Sequence, residues 1–160
     1  MPTNILRARS SSSRLAAGGR GHERATGPRQ ILIAAGRVRL RIALLDTPTA
    51  ERIWRALPLH STAETWGMSV HFELPIESGR ERGTRVNGHK GEIYFWSEDD
   101  RVLIAFGPTP ISRDGEIRLP RPCNVWAHAL DDTAALAAVR PGEKVVMTAL
   151  PAVAQGDAHA

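Results

Sequence analysis

The chain has 160 residues, one cysteine and a formal net charge of +4. The lone Cys123 excludes an internal disulfide framework, and no apolar run approaches the roughly 20 residues of a membrane-spanning helix. Residues 1–29 hold Arg7, Arg9, Arg14, Arg20, Arg24 and Arg29 against Glu23 alone, so the remainder is near neutral and gives no case for a nucleic-acid-binding surface.

Residues 1–29 are rich in Ser, Arg, Ala and Gly and lack hydrophobic periodicity, which predicts a disordered basic tail. Asn4-Ile5-Leu6 is too short for the apolar stretch of a secretory signal. An ordered domain is expected over residues 30–150, followed by a flexible tail, 151–160. Gln30 to Ala34 reads as a buried strand and Ala35-Gly36-Arg37 as a turn. Val38, Leu40, Ile42 and Leu44 then alternate with polar neighbours, completing a hairpin. Thr47 and Pro48 form a helix start. Ala50, Ile53, Trp54 and Leu57 follow at helical spacing, and Pro58 stops the run. This helix is expected to plug a barrel, with Trp54 in the core.

Ser61 to Trp66 predicts a polar strand. Val70, Phe72 and Leu74 mark the next, with His71 and Glu73 on its other face. Residues 77–90 are charged and Gly-rich, with Asn87-Gly88 as a turn signal in a loop or weak hairpin. Gly91 to Trp96 is a strand with Ile93 and Phe95 on one face and Tyr94 and Trp96 on the other. Glu98-Asp99-Asp100 turns the chain into a strand marked by Val102, Ile104 and Phe106. Pro108, Pro110, Pro120 and Pro122 bracket an expected long loop. Asn124 to Ala129 is a further strand, Asp131 or Asp132 caps a short helix over 133–139, and Lys144 to Leu150 is the last strand. The pattern is mainly β, and the frequent turn signals favour a closed barrel.

Leu45-Asp46-Thr47-Pro48-Thr49-Ala50, Trp54, Ala56-Leu57-Pro58, Thr65-Trp66-Gly67, Gly91 to Trp96, Phe106-Gly107-Pro108-Thr109-Pro110, Gly115-Glu116-Ile117 and Asn124-Val125 occur in an order and spacing that resembles the small bacterial and archaeal cyclophilin-like domain proteins. The resemblance runs from about residue 31 to 150. It departs at Ser97 to Asp100, where the group has a Pro-Pro-Gly turn, and at His71, where an aromatic is commoner. It implies a closed eight-stranded cyclophilin-like β-barrel with two short helices. The Arg/Phe/Met/Gln cluster of true cyclophilins is not found: Arg82 and Arg85 precede Val86 with no Phe-Met-x-Gln run after them. Fold alone does not carry prolyl isomerisation.

The residues themselves offer several chemistries. His71 and Glu73 on one strand face fit an acid/base pair or two metal ligands, but with no third ligand evident a solvated or cross-strand-paired face is the preferred reading. Cys123 reads as a buried thiol with no base placed beside it. No zinc-protease, Cys-pair or glycine-rich phosphate motif is present, and no cofactor is expected. The expected ligand-binding residues are Thr65, Trp66, His71, Tyr94, Trp96, Phe106, Gly107, Pro108, Thr109 and Pro110, forming an aromatic groove for a small molecule or peptide. The aromatics serve equally as core filling, and the Thr109 hydroxyl as a turn residue bonding its own backbone. Three functions follow as expectations. The first is a cytoplasmic binding module without nucleic-acid or membrane partners. The second is a weak prolyl isomerase using Arg85 or Arg113 as carbonyl donor. The third, implied by the resemblance, is an accessory partner of an amide-processing hydrolase.

Overall fold

Alternating burial builds the first hairpin, in which β1 (Gln30–Ala35) and β2 (Val38–Leu44) turn at Gly36-Arg37. These strands belong to a computed structural model of the chain that describes residues 27–152. The expected tails, residues 1–29 and 151–160, lie outside it except for 27–29 and 151–152. Pro28–Leu150 forms one compact unit. Helix α1 (Pro48–Ala56) starts at Thr47, whose hydroxyl accepts from Ala50 N at 3.1 Å. Its Ala50 and Ile53 are fully buried in the main core, while Trp54 packs on that core half-buried with the Arg29 guanidinium 5.0 Å from its ring.

After α1 come β3 (Leu59–Thr62), β4 (Glu64–Thr65), β5 (Ser69–Glu73), β6 (Arg85–Gly88), β7 (Glu92–Trp96), β8 (Arg101–Ala105), β9 (Ile117–Ala129) and β10 (Lys144–Ala149). A 3-10 helix, Thr133–Ala138, capped by Asp132, precedes β10. The sheet order is β3-β10-β1-β2-β9-β7-β8-β5-β4, with β6 attached to β9 off this path. Because only Ala63 separates β3 from β4, the two ends of this order are one continuous piece of chain. Ala63 N donates to Glu143 O at 2.8 Å on the β10 side, and from Glu64 onward the chain pairs with β5. The fold is therefore mainly β and barrel-shaped. With β3 and β4 counted as one stave and β6 outside, the ten strands reduce to the eight expected.

Two cores result. The barrel interior holds Ile31, Ile33, Leu40, Ile42, Phe72, Ile93, Phe95 and Trp126, all at most 1% exposed. A smaller cluster of Tyr94, Leu103, Ala105, Ile117, Leu119 and Cys123 lies on the outer face of β7 and β8, under the ribbon of β6 and the first half of β9. Two expectations need correction here. Asn87-Gly88 is no turn but the end of β6, and the proline-rich segment after Ile117 is strand rather than loop. The prolines are tolerated because the β6–β9 register slips between Asn87–Arg118 and Arg85–Cys123, leaving Pro120 and Pro122 in an irregular stretch that needs no ladder N–H.

Candidate functional site

Strand register alone lines up the outer face of β4, β5, β8 and β7. Glu64, His71, Leu103 and Tyr94 form one cross-strand row, and Glu73, Arg101 and Trp96 form the next. Leu103 and Tyr94 are sealed under the ribbon, so the open part of this face is its β4–β5 side. Arg101 is its centre, with a side chain 18% exposed. Its Nε donates to Asp99 Oδ2 at 2.8 Å, and its Nη1 lies 3.2 Å from His71 Nδ1 and 3.6 Å from Glu64 Oε2. None of these contacts uses Nη2. Since arginine only donates, His71 Nδ1 is the acceptor and the ring carries its proton on Nε2. Burial holds the His71 pKa below the ordinary histidine value, the Arg101 charge lowers it further, and Glu64 and Asp99 only partly oppose this.

Beside Arg101 opens a cleft of about 350 Å³ lined by Ser61, Thr62, Glu64, Glu73, Leu74, Pro75 and Arg101. The backbone explains it. The β4–β5 ladder pairs Thr65 with Val70 and Glu64 with His71, and in the same register Thr62 would face Glu73. The chain has by then changed partner at Ala63, so that rung is not made. Instead the Ser61 hydroxyl donates to Glu73 O at 2.5 Å. The cleft is thus a seam in the barrel wall, with carboxylates on its sides and a floor of Leu74 and Pro75.

The expected site residues fall into three groups. Thr65, Trp66, Phe106, Gly107, Pro108, Thr109 and Pro110 gather where the β4–β5 turn docks on the Gly-Pro-Thr-Pro loop. There Met68 N donates to Pro108 O at 3.0 Å and Phe106 N to Met68 O at 2.9 Å. Gly67, at φ +61°, lies so close to this loop that a Cβ on it would stand 2.6 Å from Pro110 Cδ. Phe106 packs on the main core, and Thr109 is buried with its hydroxyl donating to Arg118 O at 2.6 Å. Half-buried His71 and Trp96 form the second group, flanking Arg101.

Tyr94 stands alone as a correction. It is 0% exposed, its hydroxyl donates to Glu92 Oε1 at 2.6 Å and accepts from His89 N at 2.7 Å, and it lines no open groove. Of the two arginines expected as carbonyl donors, Arg85 pairs with Glu92 at 3.4 Å and Arg113 is exposed in a loop. Arg101, Ser61, Thr62 and Glu64 were not legible as site residues. Arg101 shares strand parity with Leu103, but only the β5–β8 register brings it beside His71. Among the described residues no group of three or more His, Cys, Asp or Glu side chains is placed to hold a metal ion. No described helix is long and apolar enough to cross a membrane.

None of the curated proteins compared with the chain matches it. Among solved structures, the solution structure of the hypothetical protein AF2241 from Archaeoglobus fulgidus superposes with a TM-score of 0.68. It is 28% identical in sequence, and the match covers 80% of this chain and 98% of that one. The sequence model described as cyclophilin-like matches residues 29–148, which takes in every strand from β1 to β9 and all but the last residue of β10. The chain belongs to the cyclophilin-like family.

Proposed function

We propose that the barrel is a binding module whose ligand, a small molecule or peptide segment bearing an amide, enters the seam cleft beside Arg101. The observation that carries this reading is the pinned guanidinium. Asp99 and His71 fix Nε and Nη1, and Nη2 remains for a ligand carbonyl. Glu64 and Glu73 line the same cleft as acceptors for ligand N–H groups, over a small apolar floor. A guanidinium held in place by its neighbours loses little freedom on binding, which favours affinity. The test is chemical-shift mapping of the full chain with N-acetylated, C-amidated dipeptides, beside Arg101→Ala. Saturable shifts at His71, Glu73 and Arg101 that vanish in the variant support the reading. Shifts confined to Trp66–Met68 and Gly107–Pro110 move the site to the loop cluster, and no shifts at millimolar ligand rule the reading out.

A second reading, weak prolyl isomerisation, is favoured by the same arginine. Isomerisation breaks no bond and has an uncatalysed barrier of about 18–20 kcal/mol, so one well-placed donor beside an apolar surface is the kind of help it needs. Exchange spectroscopy on Xaa-Pro members of the same peptide set decides this. Cis/trans exchange that speeds up with the parent protein and not with Arg101→Ala supports an isomerase. Binding without acceleration leaves the binding module.

A further inference from the structure

The opposite half of the barrel differs in its charge. Residues 28–45 contain Arg29, Arg37, Arg39 and Arg41 and no acid. Cross-strand register sets Arg39, Ala34, Val146 and His60 in one row on the outer face of β2, β1, β10 and β3, with the exposed Lys144 beside it on β10. At the end of this face the turns carrying Arg37 and Arg140 meet, since Gly36 N donates to Lys144 O at 3.1 Å. Two clefts open here. One of about 370 Å³ is lined by His60, Lys144 and Val146 among others, and one of about 520 Å³ by Arg37, Ala138, Arg140 and Glu143.

Most described arginines have a carboxylate partner: Arg29, Arg41, Arg55, Arg80, Arg85, Arg101, Arg118 and Arg121 each form an ion pair. Among the described residues Arg37, Arg39, Arg140 and Lys144 form none, and neither do Arg52, Arg82, Lys90 and Arg113 elsewhere; this face is distinguished by gathering four such cations. The neighbouring acids are already engaged. Glu143 accepts from Arg140 N at 2.9 Å and packs over Gly36, while Asp131 holds Arg41 in a two-point contact at 2.8 and 3.2 Å.

We infer that this face docks an extended acidic peptide segment of a partner protein. The strands β1 and β10, at the middle of this row, are paired on both sides, so there recognition falls to side chains rather than to backbone addition. Arg39 and His60 lie three strand spacings apart, about 14 Å, which is the span of acidic residues at i, i+2 and i+4 of an extended peptide. The floor of Leu32, Ala34 and Val146 is half-buried and carries no Trp, Tyr or Phe, the large stacking platforms of single-strand nucleic-acid binders. Arginine paired with carboxylate makes strong, directional bonds, and the contact is expected to weaken with salt.

The test is fluorescence anisotropy of a labelled short peptide with glutamate at alternate positions, titrated with the full chain at low salt. The double variant Arg39→Glu/Lys144→Glu is expected to bind about tenfold or more weakly. The control Arg82→Glu/Lys90→Glu changes net charge equally on another face and is expected to bind like the parent. If both variants lose affinity equally, binding follows net charge and the proposal is overturned. The proposal is also overturned if an oligothymidylate binds the parent more tightly than the peptide and is lost in the same variant, since the partner is then a nucleic acid. Should the charge-reversed pair unfold, Arg39→Ala/Lys144→Ala gives the same reading: a selective loss supports the proposal and unchanged binding overturns it.

Discussion

Gly88 and Tyr94 share one space: a side-chain carbon built on Gly88 would fall on the Tyr94 phenol oxygen. The glycine ends β6 because the ribbon must close over the tyrosine, and the hydroxyl in turn holds His89 N and Glu92. Gly88→Ala is expected to destabilise the protein by about 1–3 kcal/mol through overpacking. Tyr94→Phe is expected to cost a similar amount, about 1–3 kcal/mol, because it leaves buried hydrogen-bonding groups unmatched. Urea denaturation of both variants checks this, and near-parental midpoints would mean that the ribbon closes without this contact.

A second buried network ties the loop after β5 to the start of α1. Glu81 Oε2 accepts from Thr49 N at 2.9 Å and from Thr49 Oγ1 at 2.6 Å, while Asn124 Nδ2 donates to Thr49 Oγ1 at 3.1 Å and to Gly79 O at 2.9 Å. The carboxylate also meets the positive end of the helix dipole. Removing the carboxylate leaves Thr49 N without its acceptor and Thr49 Oγ1 with only Ser78 and Asn124, so Glu81→Ala is expected to cost about 1–3 kcal/mol. Amide exchange at Thr49 and Ala50 should accelerate in step with the loss. Unchanged protection there would show that α1 is held by its apolar face alone.

His71 gives stability a pH dependence with a definite sign. Its folded pKa lies below the ordinary value of 6.5 because burial and Arg101 oppose the charged ring. Above that value the ring is neutral in both states and contributes no slope. As pH falls through it, the unfolded chain takes up a proton that the folded chain resists, so stability declines. His71→Asn, which keeps an acceptor for Arg101, is expected to remove this part of the decline between pH 7 and 5.5. The arginine-paired carboxylates Glu51, Glu116 and Asp131, whose pKa values are lowered, act in a lower window and should be untouched. Thermal melts across this range decide it, and parallel profiles for parent and variant would count against the assignment.

Burial raises the Cys123 thiol to about 12, and its Sγ donates to Arg121 O at 3.2 Å. Almost no thiolate exists at neutral pH, so a disulfide reagent is expected to react only as fast as the second core opens. Gly88→Ala should therefore speed labelling of Cys123. Fast labelling in the parent would show that the β6–β9 ribbon opens readily.

The strands were legible wherever one face is buried and one is open. Val38 to Leu44 and Val70 to Leu74 declare themselves by alternation, and Thr47-Pro48 declares the helix. What escaped were features set by pairing between distant segments. Ile117 to Cys123 is strand because β6 covers it, although Pro120 and Pro122 read locally as loop. Tyr94 and Trp96 share a face, as their parity requires, but the ribbon over Tyr94 adds a layer that parity does not reveal. Arg101 joined the candidate site for the same reason. Its neighbours Glu64, His71 and Asp99 include two residues some thirty or more positions away in sequence, and only the barrel register brings them together.

Leu150 N donates to Gln30 O at 2.9 Å, so the chain enters and leaves the barrel about one strand spacing apart, roughly 4.8 Å. A surface loop of a larger host protein can therefore carry the whole unit as an insert without stretching either junction. The same adjacency permits rewiring. Joining the two points with a short Gly-Ser bridge and opening the chain at Arg82-Gly83, an exposed turn, keeps every rung of the ladder while moving the termini to the far side of the sequence.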